Sequence, residues 1–211
     1  SDSTNTVFRG NTAVAQQSNR TATGSSSFGY ISGGRNPSSQ TSVIDRIDYS
    51  NDTSIEAKGN LATKRFYHAG VSSQENGLAT SPIPATRTET GYASAGTPYG
   101  YWAGGQNPYV SSIIQRLDFA NDTGTMSGRT NLSHPKFTTA GSVSSTSFGY
   151  FVGGYGPAYQ SGIDRLDYSN DTATATPTGT ITNPTQSQGS AGTNSYGYIA
   201  GGIKSPGYSY L

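Results

Sequence analysis

Cysteine is absent from all 211 residues. That excludes disulfides, thiolate nucleophiles and cysteine-ligated metals. Histidine is almost absent too. His68 and His134 stand in different parts of the chain with no acidic cluster beside them, a poor set for zinc or copper, so no metal and no cofactor are expected. Charge is sparse, with 12% of residues charged and a formal net charge of +1. Nucleic-acid binding needs clustered Lys and Arg, and no such cluster exists, so no nucleic-acid partner is expected. No run approaches the ~18 apolar residues of a membrane span, so no membrane insertion is expected. No leader pattern is visible, and Ser1 reads as a trimmed start. The three glutamates, Glu56, Glu75 and Glu89, are scattered, without the pairing that acid–base chemistry uses.

The hydrophobic fraction is low at 31%, a level that can mean disorder. Here the 28 glycines and 15 tyrosines recur in order instead. One half-motif reads FGYISGG at 28–34, YGYWAGG at 99–105, FGYFVGG at 148–154 and YGYIAGG at 196–202. A second reads IDRIDYSNDT at 44–53, IQRLDFANDT at 114–123 and IDRLDYSNDT at 163–172. Gly100 and Gly149 are 49 residues apart, and Gly149 and Gly197 are 48 apart. A period near 50 is the size of one four-stranded propeller blade.

Local chemistry agrees with that reading. Gly149-Tyr150-Phe151-Val152 predicts a buried strand, stopped by a Gly pair where the backbone takes positive φ or approaches a neighbour closely. Arg165-Leu166-Asp167-Tyr168 alternates as a strand with one buried face does. Ser169-Asn170-Asp171-Thr172 predicts a tight turn, because these side chains bond their own backbone. Thr172–Thr182 predicts a weaker outer strand. The fold class is therefore all-β, with four-stranded antiparallel blades in a single domain over 1–211.

The units read as 28–76, a partial one at 77–98, then 99–147, 148–195, and 196–211 completed by 1–27. Two irregularities bear on the count. Asp52 to Gly100 spans 48 residues where the other copies need 26 or 27. At the ends, residues equivalent to Asp164–Asn170 are missing, so either the last unit is degenerate or the chain is a piece of a longer one. Five blades with one reduced is the favoured count. Four blades plus an insertion, or part of a longer propeller, are the alternatives.

Tyr150-Phe151-Val152-Gly153-Gly154, Asp167-Tyr168-Ser169-Asn170-Asp171-Thr172 and Pro82-Ile83-Pro84-Ala85-Thr86-Arg87 together resemble the kelch repeat. The tryptophan usual after the turn is replaced, with Thr174, Gly124 and Ile55 in its neighbourhood. The wording of the repeat is most similar to kelch-like repeats of marine phage virion and tail-fibre proteins. That resemblance implies a virion or extracellular location. The implied partners are other virion proteins or a host-surface glycan or receptor, with homo-oligomeric display on a fibre or capsid. A cellular or secreted kelch-like interaction module is the alternative, and a propeller enzyme such as a glycosidase comes third.

Eight of the nine aspartates occupy repeated positions, and Asp2 fits the same turn. An active site uses residues present once, so these acids read as structural and no catalytic residue is assigned. Arg46, Arg116 and Arg165 also recur and read as ion-pair partners of a neighbouring repeat aspartate. The Asn-Asp-Thr copies match an N-glycosylation pattern but are explained by turn chemistry. What varies is the loop after each Gly pair. These loops offer Arg35, Asn36, Gln106, Asn107, Tyr109, Tyr155, Tyr159 and Tyr208. Tyrosine supplies flat apolar area with a hydroxyl, and Asn and Gln supply paired donors and acceptors. The expectation is a non-enzymatic module whose loop face binds glycan or protein.

Overall fold

The computed structural model describes residues 11–12, 19–25, 27–51, 55–73, 99–137, 141–192, 195–204 and 207–208. The chain is all-β. β1 (Thr21–Gly24), β2 (Phe28–Ser32), β3 (Val43–Asp48) and β4 (Ile55–Asn60) form one antiparallel sheet in that order. β5 (Ala69–Ser72), β6 (Tyr99–Ala103), β7 (Ile113–Asp118) and β8 (Ser127–Asn131) form the second. β9 (Gly141–Ser144), β10 (Phe148–Val152), β11 (Gly162–Asp167) and β12 (Thr176–Thr180) form the third. β13 (Gly189–Gly192) and β14 (Gly197–Ala200) begin the same pattern and pair only with each other, and β15 (Ile203–Lys204) pairs with β16 (Gly207–Tyr208).

Each sheet starts one strand before the Gly-Tyr motif. The hydrogen-bonded sheet is therefore out of phase with the sequence unit that opens at Phe28, Tyr99 or Phe148. Thr21–Gly24 heads the first sheet by pairing with β2. The reduced unit expected at 77–98 lies outside the described residues, between strands β5 and β6, which pair directly. Asp2 and Asp52 lie outside them as well.

The short first strands carry the arrangement. β1 lies against β5, β5 against β9, and β9 against β13. Small residues make this approach feasible, and serine hydroxyls stitch it: Ser142 Oγ donates to Gly70 O at 2.7 Å and Ser190 Oγ to Ser142 O at 3.0 Å. The sheets thus fan outward from a shared line of first strands, an arrangement compatible with a propeller. β12, at the outer margin, is exposed along its whole length, as its threonine-rich sequence predicts.

Two apolar layers fill the gaps between sheets. Tyr30, Ile44 and Leu61 of the first sheet pack on Trp102, Leu117, Phe119 and Met126 of the second. Val71, Tyr101, Ile114 and Leu132 of the second pack on Phe151, Leu166 and Ala175 of the third. In both layers an aromatic ring stacks on a tyrosine of the preceding sheet, Phe119 on Tyr30 at 4.8 Å and Tyr168 on Tyr101 at 5.2 Å.

A polar lock sits beside each stack. The Tyr30 hydroxyl donates to Asp122 Oδ2 at 3.0 Å and Arg46 Nη1 donates to the same oxygen at 2.8 Å. One sheet on, the Tyr101 hydroxyl donates to Asp171 Oδ2 at 3.0 Å and Arg116 Nη1 at 2.8 Å, while Arg129 holds Oδ1. Burial resists the charge of Asp171, but the hydrogen bonds from Arg129 and Tyr101 win and hold its carboxyl below the usual range. Both tyrosines are driven the other way, first by burial and then by the adjacent carboxylate. The turn backbone completes the joint, with Met126 N donating to Asn60 O at 2.8 Å and Ala175 N to Asn131 O at 2.9 Å. Asp122 and Asp171 thus each serve the sheet before their own. Arg46 and Arg116 make the ion pairs expected of them, and Arg165 makes none among the described residues.

The Gly pairs do what their position demands. Gly104 has φ of 69°, and a Cβ there would stand 2.4 Å from the Lys136 carbonyl, so both backbone and space forbid a side chain. Replacing Gly104 with Ala is expected to cost roughly 2–4 kcal/mol. Gly128→Ala, where the nearest atom is 3.9 Å away, should cost little. Urea unfolding of the two variants checks this, and equal stabilities would refute the constraint.

Candidate functional site

The loops after the Gly pairs of the first and second sheets meet on one surface. Arg35 lays its guanidinium 5.1 Å from the centre of the Phe66 ring, a cation–π contact that leaves the charge exposed. Gln106 N donates to Phe66 O at 3.1 Å, and Asn107 Nδ2 donates to Lys64 O at 2.7 Å. The loop of the second sheet is thereby tied to the segment that leads into β5. Between these loops runs a polar groove of about 430 Å³, lined by Arg35, Asn36, Pro37, Ser38, Ser39, Gln40, Lys64 and Asn107. It holds two cationic side chains and no acid.

Aromatic rings continue the surface. Phe66 and Tyr67 are 4.8 Å apart, Tyr67 and Phe137 6.0 Å, Phe137 and Tyr155 5.2 Å, and Tyr155 and Tyr159 5.0 Å edge to face. Tyr67 holds φ of 56°, a conformation that costs an L-residue about 1–2 kcal/mol. Its neighbours Phe66 and Phe137, and its N–H bond to Asn19 O at 3.3 Å, keep it there. Tyr109 projects from its loop with 84% of its surface exposed.

The structure therefore divides the residues chosen from sequence. Arg35, Asn36 and Asn107 share the groove. Tyr155 and Tyr159 lie together at the far end of the aromatic row, and Tyr109 stands alone. Asn36 is partly spent, since its Oδ1 accepts from Ser38 N at 3.0 Å and Ser39 N at 2.6 Å. Gln106 turns back on its own loop, Nε2 to Pro108 O at 3.4 Å. Tyr208 falls in β16, paired opposite Ile203. Lys64, Phe66, Tyr67 and Phe137 were missed. Their signal was Lys64-Arg65-Phe66 matching Pro135-Lys136-Phe137, a short cation–aromatic repeat on the approach to the first strands.

The middle members of those two triplets, Arg65 and Lys136, are buried, and Arg20 stands at the matching place before the first sheet. Lys136 Nζ lies 2.7 Å from Asp164 Oδ2, and Arg20 Nη2 lies 2.6 Å from Asp45 Oδ2 while its Nε donates to Gly33 O. In the second sheet the acid is replaced by Gln115. Arg65 therefore donates to the Gly104 carbonyl at 2.6 Å without a carboxylate, and burial alone pushes its pKa down to about 10. Gln115 instead accepts from Ala62 N at 2.9 Å. A β-bulge falls at this position in all three sheets, after Ile44, Ile114 and Ile163, and re-aims the side chain inward.

Along the line of first strands is a polar cavity of about 370 Å³, lined by Arg20, Thr21–Thr23, His68–Ser72, Ser142, Ser144, Gln188 and Ser190. His68 Nε2 lies 2.9 Å from Ser32 Oγ, and its Nδ1 is buried without a partner. Burial, then Arg65 and Arg20, push its pKa down to about 3, so the imidazole is neutral and cannot act as a base-to-acid shuttle near pH 7. His134 is exposed and pairs with Ser133. No group of three His, Cys, Asp or Glu side chains suited to a metal occurs among the described residues. No helix there is long and apolar enough to cross a membrane.

Every described repeat aspartate has a structural partner. Asp45, Asp122, Asp164 and Asp171 are in ion pairs, while Asp48, Asp118 and Asp167 accept from their own turns. Compared with models of known protein families and with curated proteins, the chain matches none.

Two outcomes follow from these buried groups. Gln115→Asp should place a carboxylate on Arg65 and raise stability by on the order of 1 kcal/mol at pH 7. The new acid's folded pKa would be depressed, so the gain should vanish as pH falls through it. For His68 the sign is set by the unfolded chain, whose imidazole binds a proton below about 6.5 while the buried ring does not. Stability should therefore fall between about pH 6.5 and 3, by up to about 1.4 kcal/mol per pH unit. His68→Gln should flatten that slope in urea titrations run across the range, and an unchanged slope would refute the assignment.

Proposed function

We propose that this protein is a non-catalytic recognition module, a kelch-like propeller whose loop face binds carbohydrate or a polar protein surface. The observation that carries the reading is the conjunction on one face of a cationic polar groove, the Arg35–Phe66 stack and the aromatic row ending in Tyr155 and Tyr159. Sugars present apolar C–H faces and dense hydroxyls. Aromatic faces suit the first, and Asn, Arg and Lys donors suit the second. The absence of acid in the groove favours ligands with acceptor or anionic groups. The propeller reading is supported by the abutting first strands and the repeated inter-sheet lock.

A non-enzymatic role is supported by the structural employment of the aspartates and by the neutral His68. The repeat wording supports a virion or extracellular setting, as part of a phage tail fibre or another virion structure. Oligomeric display there would multiply weak contacts into avidity.

The test is a glycan array and host-cell binding assay on the isolated protein. Arg35→Ala, Tyr109→Ala and Tyr159→Ala should each reduce binding about five- to thirtyfold, for contacts worth roughly 1–2 kcal/mol, with unfolding midpoints unchanged. Binding that survives all three substitutions together would remove the loop face from the reading.

A further inference from the structure

The lock between sheets is made twice and then left half-made. Tyr30 and Tyr101 are fully buried, each under an aromatic ring and each bonded to the turn aspartate of the following sheet. Tyr150 holds the same position in the third sheet but is only half-buried, and neither it nor Arg165 has a carboxylate among the described residues. Arg165 Nε is buried without a hydrogen-bond partner, and the guanidinium rests 4.6 Å from the Phe148 ring centre, as Arg46 and Arg116 rest on Phe28 and Tyr99.

Beside this pair opens an apolar groove of about 570 Å³, walled by Val143, Tyr150, Val152, Ile163, Ile181 and Ile199. In the two complete gaps the matching space is filled by the third strand of the next sheet, through Leu117 and Phe119, or Leu166 and Tyr168. Among the described residues strand β14 pairs only with β13, and its surroundings are exposed, Tyr198 by 60% and Tyr196, just before the strand, by 69%.

We propose that this face is a strand-docking site. Its occupant is an extended segment supplied by another polypeptide, carrying the pattern Leu-Asp-aromatic-x-x-Asp found at 117–122 and 166–171. Four features ask for the same segment. The β14 edge takes its backbone by antiparallel pairing. The groove takes its leucine. Tyr150 takes its aromatic ring by stacking. Tyr150 and Arg165 take its final aspartate, the charge complement of a half-buried guanidinium that makes no ion pair among the described residues.

The probe is a synthetic peptide with the chain's own sequence Gly162–Ala175, titrated into the intact protein by calorimetry and amide-resolved NMR. Saturable one-to-one binding is expected, with shifts at residues 197–200. Arg165→Gln in the protein, or replacement of the peptide residue corresponding to Asp171 by Asn, should each weaken binding about tenfold or more. Tyr150→Phe, which removes only a hydroxyl and leaves the packing intact, should weaken it severalfold and guards against an unfolded Arg165 variant. A scrambled peptide should not bind. Absence of binding by the folded protein, or binding indifferent to Arg165 and Tyr150, overturns the proposal. So does binding that appears only after removal of residues 1–12, which would make the chain's own N-terminal segment the occupant. Concentration-dependent dimers that Arg165→Gln dissolves would make it a second copy, and overturn it likewise.

Discussion

The aspartate of the Asn-Asp-Thr turn is the constraint on which the architecture depends. It is short, so its carboxylate reaches the preceding sheet only if the turn closes tightly, and the turn closes tightly because Asn and Thr bond within it. Once there, it must be matched. A buried carboxylate without partners costs several kcal/mol, and Asp171 meets a tyrosine and two arginines. The tyrosine in turn is buried because an aromatic ring from the same incoming strand stacks upon it. Charge, hydrogen bond and apolar packing are supplied by one six-residue stretch to one neighbouring sheet, which fixes the spacing and tilt of successive sheets together.

A scaffold organised this way leaves the loops after the Gly pairs free to vary. Positive φ at both glycines and close approach of a neighbouring carbonyl fix where each loop leaves its strand. The loop sequences then bear no packing duty beyond a few tethers, such as Asn107 to the Lys64 carbonyl. Binding surfaces tend to be built in this manner, with variable segments on a rigid frame. The strained Tyr67, held by aromatic neighbours on both sides, shows that this face is itself ordered by packing rather than by secondary structure.

Repetition also makes departures legible. Gln115 in place of an aspartate leaves Arg65 as a buried cation on carbonyl oxygens alone, a local weakness in the second sheet. At the other end of the array, Tyr150 and Arg165 keep the chemistry of a lock whose other half is missing among the described residues. Neither departure is visible from a residue's identity. Each appears only by comparison with the same position one and two sheets away.

The sequence by itself determined the strands, the turns and their order. Period-two alternation, Gly pairs at fixed spacing and Asx-type turns are local physics, and they were legible in FGYFVGG and IDRLDYSNDT without coordinates. It also marked the aspartates as structural, because they recur. It left open which strand heads each sheet, since that depends on hydrogen-bond partners beyond the motif. It did not show that Asp122 and Asp171 serve the sheet before their own, nor that Lys64, Phe66, Tyr67 and Phe137 join the loop residues on one face. Those contacts join residues tens of positions apart. Only the packing of one sheet on the next, with its demand that every buried charge find a partner, decided them.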